Sequence, residues 1–367
     1  MSSLREPPVP DAPEWRRQQR HSALQQTPII AVPAVDDGDT SAPSTPCTPS
    51  TPARTVHPLK IDMCMYHGNC MDGACAAALV RRVLDAHGHP CVFVPCWWET
   101  VDMVAIVGKT VLFVDITPSI TLLGSVCAAA KDVFVIDHHA SAAETLHALL
   151  RRTQFIFNEA ECGSTLTWMW LQSHMPEVCN ADTVPPLLPY IKALDLFDWR
   201  ELMAAGDHDS MRVCRALEVG TEPSVTNMQL ILDGGHEYLA TLRRNLAVID
   251  PIIEYQITRC VSAAEVHALV HMPYVRVAVV NAQTFINFLA HRLYSTTSVH
   301  VAWIWYYHGP TRRVRVMLRS SGRFDCNAYA RAYHGGGHPN SASFVCSDER
   351  SMRNHLVTIT TNRGGCM

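Results

Sequence analysis

Short apolar runs recur along the first half of the chain, most of them ending at a polar position. They are Ile61 to Tyr66 before His67, Cys91 to Pro95, Thr110 to Val114 before Asp115, Asp132 to Ile136 before Asp137, and Gln154 to Phe157 before Asn158. The stretches 74–87, 120–131 and 164–174 between them have helical length and composition. Continuous apolar runs mark strands covered on both faces, and their separation by helices predicts an α/β fold with a parallel, doubly wound sheet. A helix over 186–196 carries Asp195, and the apolar spacing over 236–267 suits one or two long helices with Pro251 as the break. A second alternating unit then follows: strand 275–280, helix 285–294, strands 299–306 and 313–318, helix 327–333 and strand 342–345. The reading is a Pro/Ser/Thr-rich disordered tail (1–57), a sheet domain (58–205), a helical connector (206–269), a smaller C-terminal α/β domain (270–348) and a C-terminal tail (349–367).

Composition narrows the function. Hydrophobic residues at 48% supply a sizeable core, and a formal charge of −4 leaves no global basic field for a long duplex nucleic acid. Any nucleic-acid substrate is therefore short or held locally. The 14 cysteines are scattered without a C-x-x-C pair, which favours reduced thiols over a disulfide framework. No apolar run approaches the roughly 18 residues of a membrane span, and no signal-peptide core opens the chain, so the expectation is a cytoplasmic protein without a membrane partner. Arg5, Arg16, Arg17 and Arg20 leave an organelle address open, against the interspersed Glu6, Asp11 and Glu14.

Ligands of parallel α/β sheets bind at the carboxyl ends of the strands. His67, Asp72, Asp115, Asp137, His138 and His139 all fall there, which predicts one shared crevice. Carboxylates gathered in one crevice repel unless cations neutralise them, so divalent metal is the economical explanation. Oxygen donors mixed with imidazole suit Mn²⁺, Mg²⁺ or Fe²⁺. A pair of ions about 3.5–4 Å apart, bridged by a carboxylate, would clamp a phosphate ester for in-line hydrolysis.

Val135-Ile136-Asp137-His138-His139 resembles the signature of the DHH phosphoesterase superfamily, which includes nanoRNases, RecJ-type exonucleases, cyclic-dinucleotide phosphodiesterases and inorganic pyrophosphatases. It stands in order with Tyr66-His67-Gly68-Asn69-Cys70-Met71-Asp72-Gly73, with Leu112-Phe113-Val114-Asp115 and with Leu194-Asp195-Leu196-Phe197. Leu318-Arg319-Ser320 and His334-Gly335-Gly336-Gly337-His338-Pro339-Asn340 resemble the DHH-associated substrate-binding domain. The resemblance implies a catalytic domain over 58–205 and a substrate-binding domain over 270–348. It implies two Mn²⁺ ions, Mg²⁺ or another divalent ion being an alternative, one held by His67 and Asp115 and the other by Asp72, Asp115, His138 and Asp195. It further implies that Asp137 orients an imidazole, that His139 faces the substrate phosphate, and that a hydroxide activated by both metals is the nucleophile. Many members carry Asp where this chain has Cys70, which either ligates as a thiolate or packs. Arg319, Ser320, Gly335, Gly336, Gly337, His338 and Asn340 would form an anion cradle; His334 stands where relatives show a further Gly.

The leading expectation is a metal-dependent phosphoesterase acting on phosphodiester bonds of short oligonucleotides or small nucleotides. Pyrophosphate or short polyphosphate hydrolysis is the alternative enzyme reading, and a degenerate nucleotide-binding protein the alternative from another class. A homodimer is among the assemblies the sequence allows. Trp97, Trp98 and Trp303 could stack bases but read more simply as packing residues, and Glu159 and Glu161 as caps of the helix after Cys162.

Overall fold

The computed structural model describes residues 29–31, 60–96, 101–149 and 153–358. The tail 1–57, apart from 29–31, lies outside the described residues, as do Trp97 and Trp98.

The first sheet contains β1 (Ile29–Ala31), β2 (Met63–His67), β3 (Val92–Cys96), β4 (Thr110–Val114), β5 (Asp132–Asp137) and β6 (Gln154–Phe157), in the order β1-β6-β5-β4-β2-β3. Strands β2 to β6 are parallel, as the apolar runs predict. Strand β1 pairs antiparallel with β6, an element that the expected tail does not announce. The sheet is covered by α1 (Met71–Ala86), α2 (Ile120–Ala129), α3 (Ala143–Ala148) and α4 (Gly163–His174). Side chains alternate between the two faces. Leu112 and Val114 of β4 pack in one core with α1 and α4, while Val111 and Phe113 pack in another with Leu123 and Val126 of α2 and Leu146 of α3.

Helices α5 (Leu188–Leu196) and α6 (Arg200–Ala204) follow within the expected sheet domain, and the connector holds α7 (Ser210–Gly220) and the long α8 (Val225–Ser262). The break in α8 is at Gly235, where φ is 49°, and not at Pro251, which the helix passes through. Pro251 and Ala247 both lie on the exposed face, where water can take the carbonyl that the ring deprives of its partner.

The second sheet is built from β7 (Glu265–Leu269), β8 (Met272–Asn281), β9 (Val301–His308), β10 (Arg313–Ser320), β11 (Gly336–His338), β12 (Ser341–Cys346) and β13 (Leu356–Thr358). Its order is β11-β12-β10-β9-β8-β7-β13, and among the described residues β8 and β9 are its one parallel pair. Helices α9 (Ile286–Thr296), α10 (Cys326–Arg331) and α11 (Glu349–Arg353) complete the unit. It therefore reaches past the expected 270–348. Strand β7 takes residues from the connector, and α11 and β13 take residues from the expected tail; these short, half-exposed pieces lack a continuous apolar run. Ala278, Val280, Ala302 and Ile304 join α9 in the same buried cluster as Leu79, Leu112 and Val114, so the two sheets share a core through the connector. That shared core sets the second sheet's loops against the carboxyl edge of the first.

Candidate metal centre

Strand β2 delivers His67, and the turn after it, with Asn69 at φ 55°, leads into α1, whose first turn carries Asp72. Gly73 is obligatory there, because a Cβ would come within 2.7 Å of the His67 carbonyl. Strand β4 delivers Asp115, fully buried and held at φ 59°. A left-handed non-glycine residue costs on the order of 1–3 kcal/mol and persists only where its surroundings enforce it. Strand β5 delivers Asp137, followed by His138 and His139, and the last turn of α5 brings Asp195.

The two oxygens of Asp115 serve different neighbours. Oδ1 lies 3.1 Å from His138 Nε2, whereas Oδ2 lies 3.3 Å from His67 Nδ1 and accepts from the Cys70 thiol at 3.3 Å. His138 Nε2 is also 3.4 Å from Asp195 Oδ2 and 3.9 Å from Asp72 Oδ2. Asp137 is saturated by donors. Thr117 donates its hydroxyl to Oδ2 at 2.6 Å, and Oδ1 receives the His138 and His139 backbone N–H groups and sits 2.7 Å from His139 Nδ1.

The charges form an unbalanced set. Burial, reinforced by Asp115 and Asp195, pushes Asp72 up to about 8. Asp195 is raised chiefly by burial, and the Cys70 thiol is raised well above its ordinary value by burial and then by Asp115, Asp195 and Asp72. Burial opposes ionisation of Asp115 too, but hydrogen bonds with His138 and His67 outweigh it and hold this carboxyl well below its usual range. Burial would likewise lower His138, yet Asp195 and Asp115 raise it to about 10. The pocket asks for positive charge, and a divalent cation would meet that demand.

The donors fall into sets that fit such an ion. His67, Cys70 and Asp115 form one set and Asp72, His138 and Asp195 another, the ligand atoms of each lying within 4.8 Å of one another. Asp115 adjoins both through its two oxygens. The second set, two carboxylates with one imidazole, has the chemistry of a Mn²⁺ or Mg²⁺ site.

From the second sheet, His338 enters the same place. Its ring lies 4.9 Å from that of His139 at an interplanar angle of 22°, and 5.1 Å from that of His138. Burial and these two imidazoles hold it neutral, down to about 3. The other expected cradle residues are arranged differently. Gly335, Gly336 and Gly337 do not form an open loop, because Gly336–His338 is a strand paired with β12. A Cβ on Gly335 or Gly337 would lie 2.1 Å and 2.4 Å from the Ser343 and Ser341 carbonyls, so these two serve strand packing, and Gly336 alone faces open space. His334 adopts φ 60°, the region a glycine would favour. Ser320 turns its hydroxyl into its own loop, accepting from Gly322 and Phe324 N–H, and Asn340 is exposed with its carbonyl on the Ser320 N–H. Arg319 is engaged by Asn287 Oδ1 at 2.7 Å and by the Leu318 carbonyl at 2.9 Å.

Three residues that shape the site escape the sequence reading. Gly163 and Ser164 donate backbone N–H groups to Asp72 at 2.5 and 2.9 Å, so the carboxylate sits on the amino terminus of α4. Thr117 holds Asp137. Glu161, read as a helix cap, instead pairs with Lys192 at 3.1 Å, and Trp303 is wholly buried as a packing residue.

No family model matches the chain, and no curated protein matches it. Among solved structures it is similar to exonuclease RecJ bound to manganese, with 14% identity and a TM-score of 0.48 over 79% of this chain and 86% of that one. It is similar to PggH, a pGpG-specific phosphodiesterase from Vibrio cholerae, with 14% identity and a TM-score of 0.43 over 80% and 96% of the two chains. RecJ from Thermus thermophilus in complex with Mn²⁺ matches at 14% identity and a TM-score of 0.47 over 79% of this chain, which spans 50% of its length. At these scores the likeness is one of chain trace, and the chemistry of the site stands on its own side chains.

Among the described residues no helix is long and apolar enough to cross a membrane.

Proposed function

We propose that this chain is a metal-dependent phosphoesterase that hydrolyses phosphodiester bonds of short oligonucleotides or small nucleotides. The observation that carries the reading is Asp115, whose two oxygens face two separate donor sets. His67, Cys70 and Asp115 would hold one divalent ion, and Asp72, Asp115, His138 and Asp195 the other. Such a pair supplies Lewis-acid stabilisation of phosphate oxygens and makes water acidic enough to attack near neutral pH.

The chain's own groups would do the rest. Asp137, fixed by Thr117, holds the His139 ring in one orientation, as carboxylates behind active-site imidazoles do. His139 and His338 line the side where the two sheets meet and would orient the phosphate between them. The net charge of −4 favours a substrate with few phosphates.

The test is to strip the protein of metal, resupply Mn²⁺, and offer dinucleotides, cyclic dinucleotides, adenosine bisphosphate and pyrophosphate. Hydrolysis of a small phosphodiester is expected, and cleavage of pyrophosphate alone would replace this reading with the anhydride one. Asp115→Ala should abolish turnover because it removes a ligand from both donor sets; undiminished activity in that variant would refute the reading.

A further inference from the structure

Positive charge is not spread evenly along the chain. Over 265–358, the span of the second sheet, ten arginines and no lysine stand against four carboxylates, although the whole chain carries −4. The strand registers place several of these arginines on one face. Residues i, i+2 and i+4 of a strand share a face, and directly paired residues share it across strands. At the end that meets the metal centre, where His338 stacks on His139, the side chains of His338, Ser341 and Arg319 stand abreast. Two residues further along come Gly336, Ser343 and Met317. Arg315 beside Tyr306 is next, and Arg313 beside His308 is last. At roughly 3.3 Å per residue, Arg315 lies about 13 Å and Arg313 about 20 Å from Arg319 along β10.

This face is half open. Over β8 and β9 it is closed, since Ala278, Val280, Ala302 and Ile304 pack in one core with α9. Over β10, β11 and β12 none of the side chains on this row is buried, and a Cβ on Gly336 would meet open space. The opposite face of the same strands is sealed, with Val314, Val316, Leu318 and Phe344 in a core with Met352 of α11. The guanidiniums of Arg313 and Arg315 have no hydrogen-bond or carboxylate partner among the described residues. The Tyr306 and His308 rings beside them lie 6.5 Å apart. Unneutralised guanidiniums in line on an open sheet face, flanked by planar rings, match the phosphates and bases of a single nucleic-acid strand.

We propose that this row is a track for the part of a single-stranded oligonucleotide that leads away from the metal centre, with Arg315 and Arg313 on phosphates beyond Arg319 and Tyr306 against a base. The ligand is a strand of several nucleotides, because no single phosphate reaches from Arg319 to Arg315. An acidic peptide would meet the arginines but leave the two rings without a stacking partner. That the strand is also cut rests on the phosphoesterase reading; its binding along β10 does not.

The test measures binding of fluorescein-labelled single strands to the full-length, metal-stripped protein by fluorescence anisotropy, so that no cleavage intervenes. Wild type should hold a hexanucleotide at least tenfold more tightly than a dinucleotide. Arg315→Gln should lose part of that gain and the double variant Arg313→Gln/Arg315→Gln most of it, each checked for fold by circular dichroism. The salt dependence of hexanucleotide binding should flatten in the double variant by about 1.4 in log–log slope, at roughly 0.7 per lost phosphate contact on a single strand. Arg350→Gln removes the same charge from α11, against the sealed face, and should leave the gain in place. Equal affinity of wild type for both lengths, a loss in Arg350→Gln as large as in Arg315→Gln, or displacement of the hexanucleotide by polyglutamate as readily as by an unlabelled strand would overturn the proposal. Tight binding of the hexanucleotide without turnover once Mn²⁺ is restored would fall on the phosphoesterase reading and leave the track standing.

Discussion

Gly163 donates its backbone N–H to Asp72 Oδ2 at 2.5 Å, joining residues 91 positions apart. The contact requires the absence of a side chain, since a Cβ at this position would lie 2.6 Å from Asp115 Cβ and 2.9 Å from Asp72 Oδ2. Gly163→Ala should therefore drive the two carboxylates apart and lower Mn²⁺ affinity by about tenfold or more, an effect of the size seen when ligand-supporting contacts are lost. Titration calorimetry with Mn²⁺ checks this, and an unaltered affinity would show that the close approach is not needed.

Thr117 acts one step further from the chemistry. Its hydroxyl, buried with Asp137, donates to Oδ2 at 2.6 Å. Thr117→Val keeps the shape and removes the bond, leaving a buried carboxylate oxygen unmet at a cost of about 1–3 kcal/mol. The expected signature is a fall in kcat with little change in KM, restored by Thr117→Ser. A variant that loses stability but keeps kcat would reduce Thr117 to a packing residue.

Cys70 tests which metal the first donor set prefers. Its sulfur shares Asp115 Oδ2 with His67, so displacement of the thiol proton by a cation would give a nitrogen, oxygen and sulfur set. Wild-type protein titrated with Cd²⁺ should develop an ultraviolet thiolate-to-metal band that Cys70→Ser lacks. Cys70→Asp should shift preference from Zn²⁺ toward Mn²⁺, because a hard donor replaces a soft one. Identical spectra and preferences in all three proteins would make Cys70 a packing residue.

The strand-end residues were legible because a continuous apolar run ending in Asp or His states both the strand and the edge at which it stops; His67, Asp115, Asp137 and His138 all meet at that edge. Contacts made by backbone were not. Nothing in Cys162-Gly163-Ser164 says that its amides take a carboxylate from α1, since any helix start offers the same groups. The glycines of the second unit illustrate the converse: Gly335 and Gly337 read as an anion cradle, but their role depends on β12 lying against them. Pro251 misled for a related reason, because whether a proline breaks a helix depends on what can reach the carbonyl it frees.

Stability of the link between the two units should depend on Arg215. This buried guanidinium of α7 bonds Asp250 and Glu254 of α8, and Arg292 of α9 also reaches Glu254, at 2.7 Å. Removing one partner from a fully buried ion pair costs about 3–5 kcal/mol. Here Asp250 keeps Arg212 and Glu254 keeps Arg292, so Arg215→Met should cost less, about 2 kcal/mol in urea denaturation. A loss at or above the full buried-pair value would mean that the remaining arginines do not compensate.

Glu218 supplies a pH dependence away from the metal centre. Its Oε2 is buried without a partner among the described residues, and burial raises its carboxyl to about 7, with Arg319 opposing. The unfolded chain binds this proton less tightly, with a pKa near 4.3. Between the two values the folded state holds more protons, so stability is greatest below the unfolded value and falls as pH rises through about 7. The loss across that window is roughly 4 kcal/mol at most, at 1.36 kcal/mol per unit. Glu218→Gln is neutral throughout and should remove this part of the slope, leaving the variant more stable than wild type at pH 8 and comparable to it near pH 4. Urea denaturation at both pH values decides the matter: parallel stability curves for the two proteins would mean that the carboxyl is solvated and titrates as in the unfolded chain.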